Sequence, residues 1–216
     1  MMSDSAQSDP WQAFIEKPTE YVALQWLCAE LESVADDATQ AVLARHPRFQ
    51  KRLGEQLAHR HGLLPPEELP MPEANDLVLF KLPPGAGEEL ARYCGMICHA
   101  RAFVHAIRAT RVVELKQRFG ELSYRAALSN RDVALHSHDY ADDDALEHSV
   151  ERDGVACIAA WMSMQPTGLT DWLRLGVLGS PCRPDSEPSD EIFKLGPDIV
   201  RRASAFMIDH GVEAVE

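Results

Sequence analysis

Apolar residues recur at intervals of three and four along almost the whole chain, the spacing that puts side chains on one face of a helix. The stretch AELESVADDATQAVLARH places Leu31, Val34, Ala35, Ala38 and Val42 on one side. Pro47 suits a first helical turn, where no N–H is required. After it, RFQKRLGEQLAHRHG spaces Phe49, Leu53 and Leu57 four apart and stops at Gly62, a C-terminal cap. EELARYCGMICHARAFVHAIRA brings Leu90, Cys94, Ile97, Val104 and Ile107 close to one stripe. RVVELKQRFGELSYRAAL carries Leu115, Phe119, Leu122 and Ala126 through Gly120, which marks a bend or a junction. DALEHSVERDGVACIAAWMSM aligns Leu146, Val150, Cys157, Trp161 and Met164. A last helix is expected to open at Pro197 and to align Ile199, Val200, Ala203, Phe206 and Met207.

No run alternates apolar and polar residues well enough to build a sheet, so the expected class is all-α. The pattern predicts a single compact multi-helix domain, with room for a small N-terminal helical subdomain. DLVLFKL is too short to separate a strand from one helical turn. LLPPEELPMPEAND holds four prolines and reads as a linker. The expected layout is a tail over 1–9, an N-terminal helical part over 10–64, a Pro/Gly-rich connection over 65–87, the main helical part over 88–210 and a tail over 211–216.

Charge changes this picture. The 216 residues carry a net charge of −13, which argues against a partner held through phosphates, so no nucleic acid is expected. Yet residues 85–134 hold eight basic against five acidic side chains, about +3 by direct count. The next stretch, 139–153, holds seven acidic residues and only Arg152. A basic middle in an acidic chain predicts a face for an acidic protein partner, with Arg101, Arg108 and Arg111 as its contacts. The competing expectation is intramolecular, with the basic middle lying against the chain's own acidic loops. The sequence opens without a basic n-region or an apolar h-region, and no apolar run is long enough to span a bilayer. The five scattered cysteines read as reduced thiols, and a cytoplasmic protein without membrane insertion is expected.

Candidate chemistry concentrates in HSHDYADDDALEH, residues 136–148. Imidazole and carboxylate are common metal ligands and general acid–base groups. A metal-dependent hydrolase using His136, His138, Asp139 and His148 is the enzymatic alternative. Against it, no glycine stands where a calcium loop needs one, and Asp144 and His148 alone make a two-ligand surface site. The residues read better as a helix start, with Asp144 and Glu147 as a capping box and Asp142 and Asp143 against the helix dipole. CGMICH has three residues between its cysteines, whereas zinc sites want two. Cys94 and Cys98 therefore read as small hydrophobes one turn apart. Trp161 and Trp172 read as core. Phosphate-loop, dinucleotide, nucleophile-elbow and zincin signatures do not occur, so no catalytic residue, metal, cofactor or small-molecule substrate is expected.

The order of the pieces carries a resemblance. FIEKPTEYVALQWL, then CGMICHARAFVHAIRATRVVELKQRFGELSYRAAL, then AAWMSMQPTGLTDWLRLGVL and a final amphipathic helix are arranged as in the SctK/YscK family. These are cytoplasmic accessory proteins of the bacterial type III secretion sorting platform. The resemblance covers about Trp11 to Ile208 and rests on patterns of apolar and small residues. It implies an adaptor, not an enzyme, linking the cytoplasmic part of the inner-membrane ring protein to the pod protein, and through it to the stator and ATPase. A type III secretion chaperone is a further alternative, and it would contain a sheet.

Overall fold

The computed structural model describes residues 9–31, 36–135, 140–179 and 188–211, the side chain of Asp37 excepted. Among them the chain is all-α, made of helices and turns without a strand. The first helices are α1 (Pro10–Glu16), α2 (Leu24–Ala29), α3 (Asp37–Ala44) and α4 (Pro47–His61), with 3-10 turns at Pro18–Tyr21, Pro66–Glu68 and Ala74–Lys81. There follow α5 (Gly87–Cys98), α6 (Ala100–Val104), α7 (Ala109–Phe119) and α8 (Glu121–Ser129). The long α9 (Asp143–Ser163), the short α10 (Leu169–Leu175) and α11 (Asp190–Asp209) complete the chain. The chain divides into two compact units, Met1–Gly85 with Pro166–Ser180, and Ala86–Gln165 with Pro181–Glu216.

Short elements and aromatic rings build the first unit. Asp9 caps α1 by accepting from the Trp11 N–H at 3.1 Å, and Pro10 occupies the first helical position. This aims Trp11 and Phe14 inward. Phe14 lies 5.3 Å from Phe80 and edge-on to Tyr21 and Trp172, at 5.5 and 5.8 Å between ring centres. Edge-on pairs of this kind add about 1 kcal/mol each beyond the area they bury. The indole N–H of Trp172 donates to the Leu64 carbonyl at 2.9 Å, so α10 is tied to the end of α4. Residues 65–87, expected as a connection, supply Leu69, Leu79, Phe80 and Leu82 to buried positions. DLVLFKL lies almost wholly within the 3-10 turn, Leu82 following it. Gly62 ends α4 in the left-handed conformation at φ 64°, as its place in the sequence predicts. The expected α3 face is corrected. Val42 is 68% exposed, and the buried residues are Gln40 and Ala44, while Val34 and Ala35 lie outside the described residues.

Close helix crossings build the second unit. A Cβ on Gly95 would sit 1.9 Å from the Val150 carbonyl oxygen, and one on Gly154 would sit 1.9 Å from that of Ala91. Backbone touches backbone at both points. Residues advancing along α5 meet residues receding along α9, so the two helices run antiparallel. α11 packs on both, and a Cβ on Gly196 would sit 3.2 Å from the Cys157 Cα. Around the far end of α5 a cluster of Met96, Phe103, Leu115, Phe119, Leu146 and Val150 is fully enclosed. Gly120, at φ 91°, is the junction between α7 and α8.

Three expected boundaries move. α11 opens at Asp190, not Pro197, because the Ser189 side chain accepts from Ile192 N and Asp190 and Glu191 favour the positive end of the helix dipole. Pro197 is inside the helix. The stripe drawn through Leu90 to Ile107 is broken, since α5 stops at Cys98 and α6 at Val104; Ile107 is 90% exposed. Met164, expected on the inner side of α9, is 54% exposed at the helix end.

Candidate functional site

Leu146, Val150, Cys157 and Trp161 line the buried side of α9, and Asp153 occupies the same register. A carboxylate in a core register must be hydrogen-bonded. The Asp153 Oδ2 lies 3.0 Å from Nε2 of His99, and the two side chains are only 5% and 1% exposed. The other ring nitrogen of His99, Nδ1, is hydrogen-bonded to the Tyr140 hydroxyl. Asp153 also accepts from its neighbour Arg152, at 2.8 Å to Oδ1. The neutral ring satisfies this chain best when Nε2–H donates to Asp153 and Nδ1 accepts the tyrosine O–H.

This Tyr140–His99–Asp153 relay joins three parts of the second unit, namely the α5–α6 break, the segment entering α9 and α9 itself. Burial first, and then the Asp153 charge, push the Tyr140 hydroxyl up to about 12. A phenol held protonated is a hydrogen-bond donor and not a nucleophile. The relay fixes the position of residue 140.

Residue 140 is a wall of a cleft of about 590 Å³. Arg101, His105 and Arg111 stand on the side of α6 and α7, and Asp142 and Asp143 on the side of α9. The start of α9 differs from the expected capping box. Asp142 is the cap, accepting from Ala145 N at 2.8 Å, and Asp144 already lies inside the helix. Freed from capping, Asp143 and Asp144 take arginines. Arg111 grips both oxygens of Asp143, with Nη1 donating to Oδ2 at 2.6 Å. Arg118 bonds Asp144 and, through Nε at 2.8 Å, Glu147. The Arg111 guanidinium holds the Asp143 carboxyl below the usual carboxylate range.

The three predicted contact arginines therefore separate. Arg111 is spent on the fold, as the intramolecular expectation required. Arg101 and Arg108 are exposed, and among the described residues neither has an ion-pair partner. Around them three apolar side chains stand in solvent, Val104 at 40%, Ile107 at 90% and Val113 at 52%.

Of the residues named for the metal alternative, His136, His138 and Asp139 lie outside the described residues. His148 is exposed on α9, and Asp144 is held by Arg118. Among the described residues no three His, Cys, Asp or Glu side chains are placed to share an ion. Cys94, Cys98 and Cys157 are buried thiols, with Cys98 Sγ 3.3 Å from Cys157 Sγ. That contact and burial raise the Cys98 thiol well above its ordinary value, so it stays protonated.

The relay was legible only in part. Asp153 in an otherwise apolar register was the available signal, whereas nothing in the spacing connects Tyr140 or His99 to it. Comparison of the chain with protein-family models, curated proteins and solved structures finds no match.

Proposed function

We propose that this chain is a helical adaptor of a type III secretion sorting platform, placed in the cytoplasm at the inner-membrane base of the apparatus. It links the ring protein's cytoplasmic domain to the pod protein and performs no catalysis. The order of the helical segments and their resemblance to the SctK/YscK family support this reading. So does an all-α chain in which, among the described residues, no helix is long and apolar enough to cross a membrane. A secretion chaperone would bring a sheet, and the described residues contain none.

The observation that carries the reading is a pair of exposed apolar surfaces of different charge within the second unit. One is the bend of Val104 and Ile107 between Arg101 and Arg108. The other is the start of α11, where Glu191, Phe193, Lys194 and Leu195 are exposed and only Ile192 is buried before Gly196. Phe193 and Leu195 are 52% and 41% exposed. Isolated surface apolars are ordinary, but large ones grouped at a helix bend and a helix start mark contact surfaces. An adaptor needs two of them.

The test is deletion of the gene followed by co-purification and imaging of the apparatus. Loss of secretion and of pod attachment to the ring is expected. Normal pod assembly in the deletion strain would contradict the proposal.

A further inference from the structure

We infer that the α6–α7 bend is the docking face for an acidic amphipathic helix of a partner protein, which seats apolar side chains on Val104 and Ile107 and carboxylates on Arg101 and Arg108. The inference rests on the adaptor reading for its expectation that a protein is the occupant.

Charge complementarity selects the chemistry. The chain carries −13 overall, and part of its basic set is already paired: Arg111 takes Asp143, Arg118 takes Asp144 and Glu147, and Arg202 takes Asp132 and Asp198. Arg101 and Arg108 stay in solvent beside an isoleucine that is 90% exposed. Guanidinium groups left open in a chain with surplus carboxylate are available to an acidic surface, and the overall charge repels nucleic acid. The cleft beside them gives a carboxylate a place to enter. Arg101 and His105 stand at its rim, while Asp142 is engaged in capping and Asp143 is neutralised by Arg111.

The shape of the occupant follows from the face itself. Among the described residues there is no sheet edge, so strand addition has no template, whereas an apolar ridge flanked by arginines suits a helix laid along it. Tyr140, hydrogen-bonded to His99, is anchored in the opposite wall of the cleft. A preformed face lowers the ordering cost of binding.

The experiment places the photocrosslinker p-benzoylphenylalanine at Ile107, and in a second strain at Val113, in the cell that makes this protein. The captured segment is identified by mass spectrometry. Capture of a segment with glutamates or aspartates flanking an i, i+3, i+4 apolar stripe is expected. A synthetic peptide of that segment should then bind the purified protein, with affinity about tenfold lower for the Arg101→Glu/Arg108→Glu variant at physiological salt and a smaller difference at high salt. Lysines replacing the peptide's acids should restore binding to the variant. Thermal melting of the variant, unchanged, confirms that it folds.

A captured acidic helix from outside the secretion apparatus would overturn the sorting-platform reading and leave this face standing. Capture of ring or pod protein through a basic or uncharged segment would overturn the face and leave the adaptor. Capture of the chain's own Asp190–Asp209 helix, or no capture at either position, overturns the inference.

Discussion

Residues 93–100 and residues 104–110 lie along one expected apolar stripe, and the fold treats them in opposite ways. Every residue from Tyr93 to Ala100 is buried, whereas from Val104 to Thr110 every residue but Ala106 is exposed. Residue identity alone does not decide burial, since Ile97 and Ile107 are the same residue at 0% and 90% exposure. What separates them is access to a neighbour. Gly95 and Gly154 let the backbones of α5 and α9 touch, so side chains on either side of the crossing are enclosed. The bend beyond His99 and Val104 carries the chain out of that contact. Burial is decided by what a second helix can reach, and an apolar stripe that outruns its partner becomes surface.

The largest expected effect breaks the buried side of this contrast. Gly95→Ala places a Cβ against the Val150 carbonyl, a backbone atom that cannot turn aside. Its unfolding free energy, measured by urea titration, should fall by about 3 kcal/mol or more. A neutral result would mean that the crossing is not close. Next comes Asp153→Ala, which leaves the His99 Nε2–H in the core without its acceptor. Breaking one partner of a buried pair costs about 3 kcal/mol, and Tyr140→Phe, removing only the outer hydroxyl, should cost about 1 kcal/mol in the same titration.

A smaller effect belongs to Arg111, just beyond the exposed stretch. Asp143 is held below the usual carboxylate range by Arg111, so its contribution is present above the ordinary carboxylate pKa and is lost as pH falls through the lower folded value. Arg111→Glu should lower stability at neutral pH by about 1 kcal/mol. It should also flatten the loss of stability expected of the parent as pH drops below about 4, followed by thermal melting across that range. The smallest effect sharpens the exposed side. Ile107→Asp should leave the melting temperature unchanged within an equivalent of about 0.5 kcal/mol, although the same change at Ile97 should unfold the unit.

Long helices were readable from spacing because many residues vote for the same face. α4, α5, α9 and the second half of α11 carry their predicted buried residues at Leu53 and Leu57, Leu90 and Ile97, Val150 and Trp161, Val200 and Met207. Helix breaks without glycine or proline were not readable. The chain leaves the helix between His105 and Arg108 with neither residue present, so the stripe was extended to Ile107. Pro197 errs in the other direction, since a favoured first-turn residue stands inside a helix that Ser189 caps two turns earlier. At the site, the acidic run before α9 was recognised as a helix start, but its cap was placed two residues late. Asp142 caps, and this frees Asp143 and Asp144 for Arg111 and Arg118. That pairing is long-range and leaves no local pattern. It is the reason the three arginines grouped by sequence divide into one structural residue and two open ones.

On the proposal above, the buried stretch holds the fold while the bend beyond it receives a partner. The most direct measurement combines Arg101→Glu, Arg108→Glu and Ile107→Asp in one variant and follows thermal melting together with co-purification of ring and pod proteins. An unchanged melting temperature with one of the two partners lost is expected. Retention of both partners by a variant that melts like the parent would contradict it.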